Sequence, residues 1–96
     1  MATCNLSLQV VPLVDEKSLY SLVDQIIGMI SVSGVKYKVG PMETTMEGEL
    51  DLLLQIVKKA QDICTEAGAD RVLSIIKIDY SPGGVTIDEK ITKYKK

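Results

Sequence analysis

Gly40-Pro41-Met42-Glu43-Thr44-Thr45-Met46-Glu47-Gly48-Glu49 decides how this chain folds, because it sets backbone breakers on both sides of a short strand and then runs into an apolar helix. Pro41 fixes its own φ and pushes Gly40 out of the α region, so whatever precedes must stop here. The β-branched pair Thr44-Thr45 favours extended backbone, which predicts a strand over 44–47. Gly48 predicts a bend that a side chain would resist, leaving Glu47, Glu49 and Asp51 near the positive end of the next helix.

Upstream of the break, residues 35–39 alternate Val35, Tyr37 and Val39 against Lys36 and Lys38, the period of a strand. Before them Leu19, Leu22, Val23, Ile26, Ile27 and Ile30 recur at helical spacing, and Ser33-Gly34 ends that helix. Residues 5–11 alternate again, with Leu6, Leu8 and Val10 on one side and Asn5, Ser7, Gln9 and Val11 on the other, until Pro12 interrupts pairing.

Downstream, Leu50, Leu53, Leu54, Val57, Ala60, Cys64 and Ala67 restore the helical period as far as Gly68, with Leu54 read as the centre of the buried stripe. Residues 71–80 (RVLSIIKIDY) are dense in β-branched side chains and read as a fourth strand, closed by Ser81-Pro82-Gly83-Gly84. Thr86 with Glu89 three residues on is a capping-box pattern, which predicts a short helix from Ile87. The order β-α-β-β-α-β defines an α+β fold, the ferredoxin-like split βαβ sandwich, with two helices on one face of a four-stranded antiparallel sheet.

Ninety-six residues, 46% of them apolar, fit a single domain over 1–96. The chain has no Phe, no Trp and no His, and its formal net charge is −2, which argues against base-stacking surfaces and against long-range attraction to nucleic acid or anionic membranes. Cys4 and Cys64 lack metal-ligand spacing and have no histidine to complete a zinc set, so no metal or cofactor is expected. Both read as reduced thiols of a cytoplasmic protein. Neither a signal peptide nor a membrane span is evident, and the lysines at 90, 93, 95 and 96 read as a solubilising, frayed tail.

Two helices cover one sheet face. The other exposes Asn5, Ser7, Gln9 and Val11 from the central first strand, together with either Thr44 and Met46 or Thr45 and Glu47 from the third; the first pair is preferred. The fourth strand is apolar on both sides, which predicts a homo-oligomer, dimer or tetramer, closing over the open face. Its polar groups either hydrogen-bond across that interface or, with walls from Val11 and Met46, line a small-molecule pocket.

The run GPMETTMEGE, the Ser-Gly helix end followed by a Tyr-containing strand, RVLSIIKIDY and the 86–90 segment together resemble the small thiamine-binding proteins of the YkoF-like group. The resemblance spans nearly the whole chain and implies a ferredoxin-like fold, assembly through sheets, and non-catalytic binding of thiamine or its hydroxymethylpyrimidine moiety. It makes Gln9 and Thr44 the leading ligand contacts, with Ser7, Asn5, Val11 and Met46 around them. The chemistry is consistent, since a glutamine amide and a threonine hydroxyl each donate and accept, as an aminopyrimidine requires. Glu47 is the carboxylate candidate for a cationic thiazolium, although the helix dipole favours a glutamate there with no ligand at all.

Hydrolysis of the acylphosphatase type, known on this fold, would need a glycine-rich anion loop after the first strand and a paired arginine and asparagine. Here that loop is Pro12-Leu13-Val14-Asp15-Glu16, and Arg71, the one arginine, starts the fourth strand. The expectation is no enzyme; the alternative to ligand binding is a regulatory or structural homo-oligomer with no thiamine-related ligand.

Overall fold

The computed structural model describes residues 2–94. Strand β1 (Thr3–Pro12) leads to α1 (Glu16–Ser31), then β2 (Lys36–Val39) and β3 (Thr44–Glu49), α2 (Leu50–Glu66), β4 (Val72–Asp79) and a short α3 (Ile87–Ile91) that tightens into a 3₁₀ turn, Thr92–Tyr94. The sheet runs β2-β3-β1-β4, antiparallel throughout, which is the ferredoxin-like arrangement. Asp15 begins α1 by accepting from the Ser18 N–H at 2.8 Å, so the helix starts ahead of the first apolar residue of its stripe, and hydrogen bonding from the Ser18 side chain, then from its backbone, lowers the Asp15 pKa. Thr86 caps α3 as the sequence predicts, accepting from the Glu89 N–H.

Directly opposed residues of antiparallel strands share a face, so the register assigns every side. Cys4 and Gly48, Leu6 with Met46 and Ile78, and Leu8 with Thr44 and Ile76 point toward the helices. Beneath α1 and α2, Cys4, Leu6, Leu8 and Met46 form the core with Ile26, Ile30, Leu53, Ile56, Val57, Ala60 and Cys64, while Ile76 and Ile78 on the edge strand stay exposed. The two cysteines are buried, unpaired members of that core, and burial pushes both thiols up.

Two readings of the opening stretch are corrected. Gly48 does not bend the chain: it lies within β3, packed beside the Leu53 and Val35 side chains, and a Cβ there would make ordinary van der Waals contact with both. Thr44 and Met46 do not look outward, because Met46 opposes Leu6 and is fully buried while Thr44 opposes Leu8. Thr45 and Glu47 take the open face instead, since a one-residue change of register reverses every side chain.

The open face therefore carries transverse rows. One is Lys36–Glu47–Asn5–Asp79, the next Lys38–Thr45–Ser7–Lys77, and beyond them Gln9 with Ile75 and Val11 with Leu73. The chain after β4 turns at Ser81–Gly84 and returns across the start of β1, where the Val85 N–H donates to the Thr3 carbonyl. This brings α3 over the Asn5 end of the open face, held by the buried Ile87, by the Glu47 carboxylate accepting the Ile87 N–H at 2.7 Å, and by the Lys36–Asp88 ion pair. That bond to Asp88 raises the Lys36 pKa. Lys90 is likewise no frayed residue; Lys95 and Lys96 of the same cluster lie outside the described residues. Among the described residues no helix is long and apolar enough to cross a membrane.

Candidate functional site

Where α3 stops, the open face sinks into a hollow of ≈ 480 Å³, within the range of small-molecule sites. Its floor is Asn5, Ser7 and Thr45; Lys38 and the Gly40–Glu43 turn wall one side, Lys77 and Asp79 the other, and Ile87, Lys90 and Ile91 close the end. Gly40 is required at that turn: its N–H bonds the Glu43 carbonyl at 2.9 Å, and a Cβ would fall 2.8 Å from the same oxygen.

The floor has unspent hydrogen-bonding capacity. Ser7 Oγ and Thr45 Oγ1 lie 2.7 Å apart, so one hydroxyl proton is shared between them and the other is free to point outward. Asn5 is only 4% exposed; its Oδ1 accepts from Lys90 Nζ at 2.7 Å, which fixes the amide orientation, because an ammonium only donates. That leaves Asn5 Nδ2 buried with no hydrogen-bond partner among the described residues, a cost of about 1–3 kcal/mol. Lys90 also pairs with Asp79 at 2.6 Å, and Lys77 with Glu43 at 2.8 Å.

A second hollow of ≈ 410 Å³ opens under the flank of α1, where β3 no longer pairs with β1 beyond Leu8 and Thr44. Leu19, Val23 and Ile27 line it with Val10, Val39 and Met42, and Gln9, Val11 and Thr44 border it.

The residues singled out from sequence are thus divided. Asn5 and Ser7 share the open-face hollow, whereas Gln9 and Val11 lie farther along that face. Thr44 meets Gln9 only at the α1 hollow, and Met46, inside the core, walls neither. Glu47 is occupied in holding α3. Sequence reading placed Thr45 second to Thr44 and missed Lys38, Lys77, Asp79 and Lys90. Met46 was the usable signal for Thr45: a long apolar side chain in an alternating strand belongs inside, which puts its neighbours outside.

Comparison with known proteins places this geometry in context. The thiamine-binding protein family matches residues 6–95, and the chain belongs to that family. A UPF0045 protein of Clostridium perfringens is 61% identical over 95 residues, covering 99% of this chain and 100% of that protein. Among solved structures, a DUF77 domain of unknown function from Bacillus cereus superposes with a TM-score of 0.91 at 53% identity, covering 98% of this chain and 91% of its own. A Thermotoga maritima protein provisionally assigned to thiamine biosynthesis or salvage superposes at 0.89 with 39% identity, covering 97% and 99%.

Proposed function

We propose that this protein binds thiamine or its hydroxymethylpyrimidine moiety without catalysis, holding the pyrimidine in the open-face hollow. The observation that carries the reading is the orphaned Asn5 Nδ2. A pyrimidine ring nitrogen is the acceptor it lacks, and the Ser7–Thr45 pair can satisfy the exocyclic amine, since hydroxyls both donate and accept. A thiamine-related role agrees with the family. Two unpaired thiols suit a cytoplasmic setting.

Calorimetric titration with hydroxymethylpyrimidine and thiamine tests the site. Asn5→Asp keeps the oxygen that Lys90 contacts and deletes the donor, and Thr45→Val keeps shape and deletes the hydroxyl. Each should weaken pyrimidine binding by about 1–3 kcal/mol, roughly five- to a hundredfold. Unchanged affinity in both would sink this site. A loss confined to Gln9→Ala and Thr44→Val would move the ligand to the α1 hollow, which those two residues border. No binding by the wild type would favour the structural-oligomer reading.

A homo-oligomer, a tetramer built from dimers, is part of the proposal. β4 is an edge strand whose Leu73, Ile75, Ile76 and Ile78 are all at least 38% exposed, an apolar strip spanning both faces. Light scattering should return a multiple of 10.5 kDa at micromolar concentration; a monodisperse monomer would refute the assembly.

A further inference from the structure

We propose that the open-face hollow selects the phosphorylated form of its ligand, a phosphate monoester on the pyrimidine or thiamine alcohol, bound by Lys38 and the Ser7–Thr45 hydroxyls with Lys77 as second cation; this rests on the function proposed above. The sheet register supplies the geometry. Lys38 opposes Thr45, Thr45 opposes Ser7, and Ser7 opposes Lys77, so two hydroxyls stand in one row between two lysines. Three strand spacings of about 4.8 Å separate the lysine backbones, and their flexible stems can fold inward over the hydroxyl pair from both sides.

Charge accounting points the same way. Five ionisable side chains line the hollow: Lys38, Lys77, Lys90, Glu43 and Asp79. Asp79 is paired with Lys90 and Glu43 with Lys77, whereas Lys38 has no carboxylate partner among the described residues. The hollow therefore carries a surplus positive charge on a chain whose formal net charge is −2. The Lys77–Glu43 pair leaves the lysine side chain 69% exposed, so the ammonium is weakly held and can turn toward an incoming anion.

A phosphate monoester supplies what this row lacks. It brings close to two negative charges and three strong acceptor oxygens, for two ammonium groups and the hydroxyl proton that the Ser7–Thr45 contact leaves free. A bare thiazolium cation meets an uncompensated lysine instead. Glu47, which would have met that cation, is turned to the Ile87 N–H.

The test is calorimetry on the full chain at fixed ionic strength with hydroxymethylpyrimidine, its phosphate monoester, thiamine, thiamine monophosphate and inorganic phosphate. Each phosphate ester should bind at least about tenfold tighter than its parent alcohol. The ratio should collapse toward one in Lys38→Gln and fall below one in Lys38→Glu, exposed substitutions that leave the core intact. Esters that bind no tighter than the alcohols, or a ratio untouched in Lys38→Gln, overturn the inference while leaving pyrimidine binding in place. Inorganic phosphate binding that depends on Lys38, with no pyrimidine binding, upholds the anion site and overturns the proposed function. If no compound binds, both are overturned.

Discussion

Leu53→Ala should cost about 2–5 kcal/mol of folding stability, out of a total of about 5–14 kcal/mol for a chain of 96 residues. Leu53 is fully buried on α2, against β3 at Gly48 and within the core that contains Leu6, Met46 and Ile30. The methyl groups removed have no solvent to return to, and the neighbouring backbone is fixed by the sheet, so a cavity remains. Leu54, read from sequence as the centre of the stripe, is 42% exposed, and Leu54→Ala should cost about 1 kcal/mol or less. Urea denaturation of the two variants side by side decides it. Equal losses would mean that α2 is rotated from the orientation described.

The second large effect is expected at Ile87. A helix of five residues cannot persist alone, since isolated helices shorter than about 12 residues are marginal in water. α3 is kept on the sheet by one buried side chain, the Glu47–Ile87 bond, the Lys90–Asn5 hydrogen bond and exposed ion pairs, and ion pairs of that kind contribute little. Ile87→Ala removes about 2–4 kcal/mol of anchoring, enough to release the segment locally while the sheet stays folded. Protease cleavage within 81–86 should accelerate strongly, and ligand affinity should fall because Ile87, Lys90 and Ile91 form the end wall of the hollow. Unchanged cleavage and unchanged affinity together would show that α3 is held by something else.

Fold and site were legible to different degrees, for physical reasons. Strands 1 and 2 and both long helices follow from periodicity, because alternation and the 3.6-residue repeat are local properties of the chain. The helical repeat does not fix rotation, however. Leu53 and Leu54 both fit a stripe, yet successive residues lie about 100° apart around the axis, and only packing against β3 shows which one the core receives. The face of β3 failed for a related reason: Thr44 and Thr45 have the same chemistry, so the choice rested on an inter-strand register that local sequence does not encode. Asn5 and Ser7 were read onto the open face because β1 alternates cleanly. Asp79 and Lys90 were not: Asp79 faces Asn5 only through the β1–β4 register, and Lys90 reaches it only after the chain has reversed past Gly84 and crossed β1.

That crossing sets the order in which the protein can come into being. Asn5 and Lys90 are 85 positions apart and meet at 2.7 Å. While the chain is being made, the first strand must wait: β1 has the Asn5 amide and the Ser7 hydroxyl in place early, but the wall that completes them follows only after β4. A nascent chain halted in the loop after β4 would own a finished sheet and an unfinished hollow. Completion of the hollow thus requires that synthesis has passed residue 90.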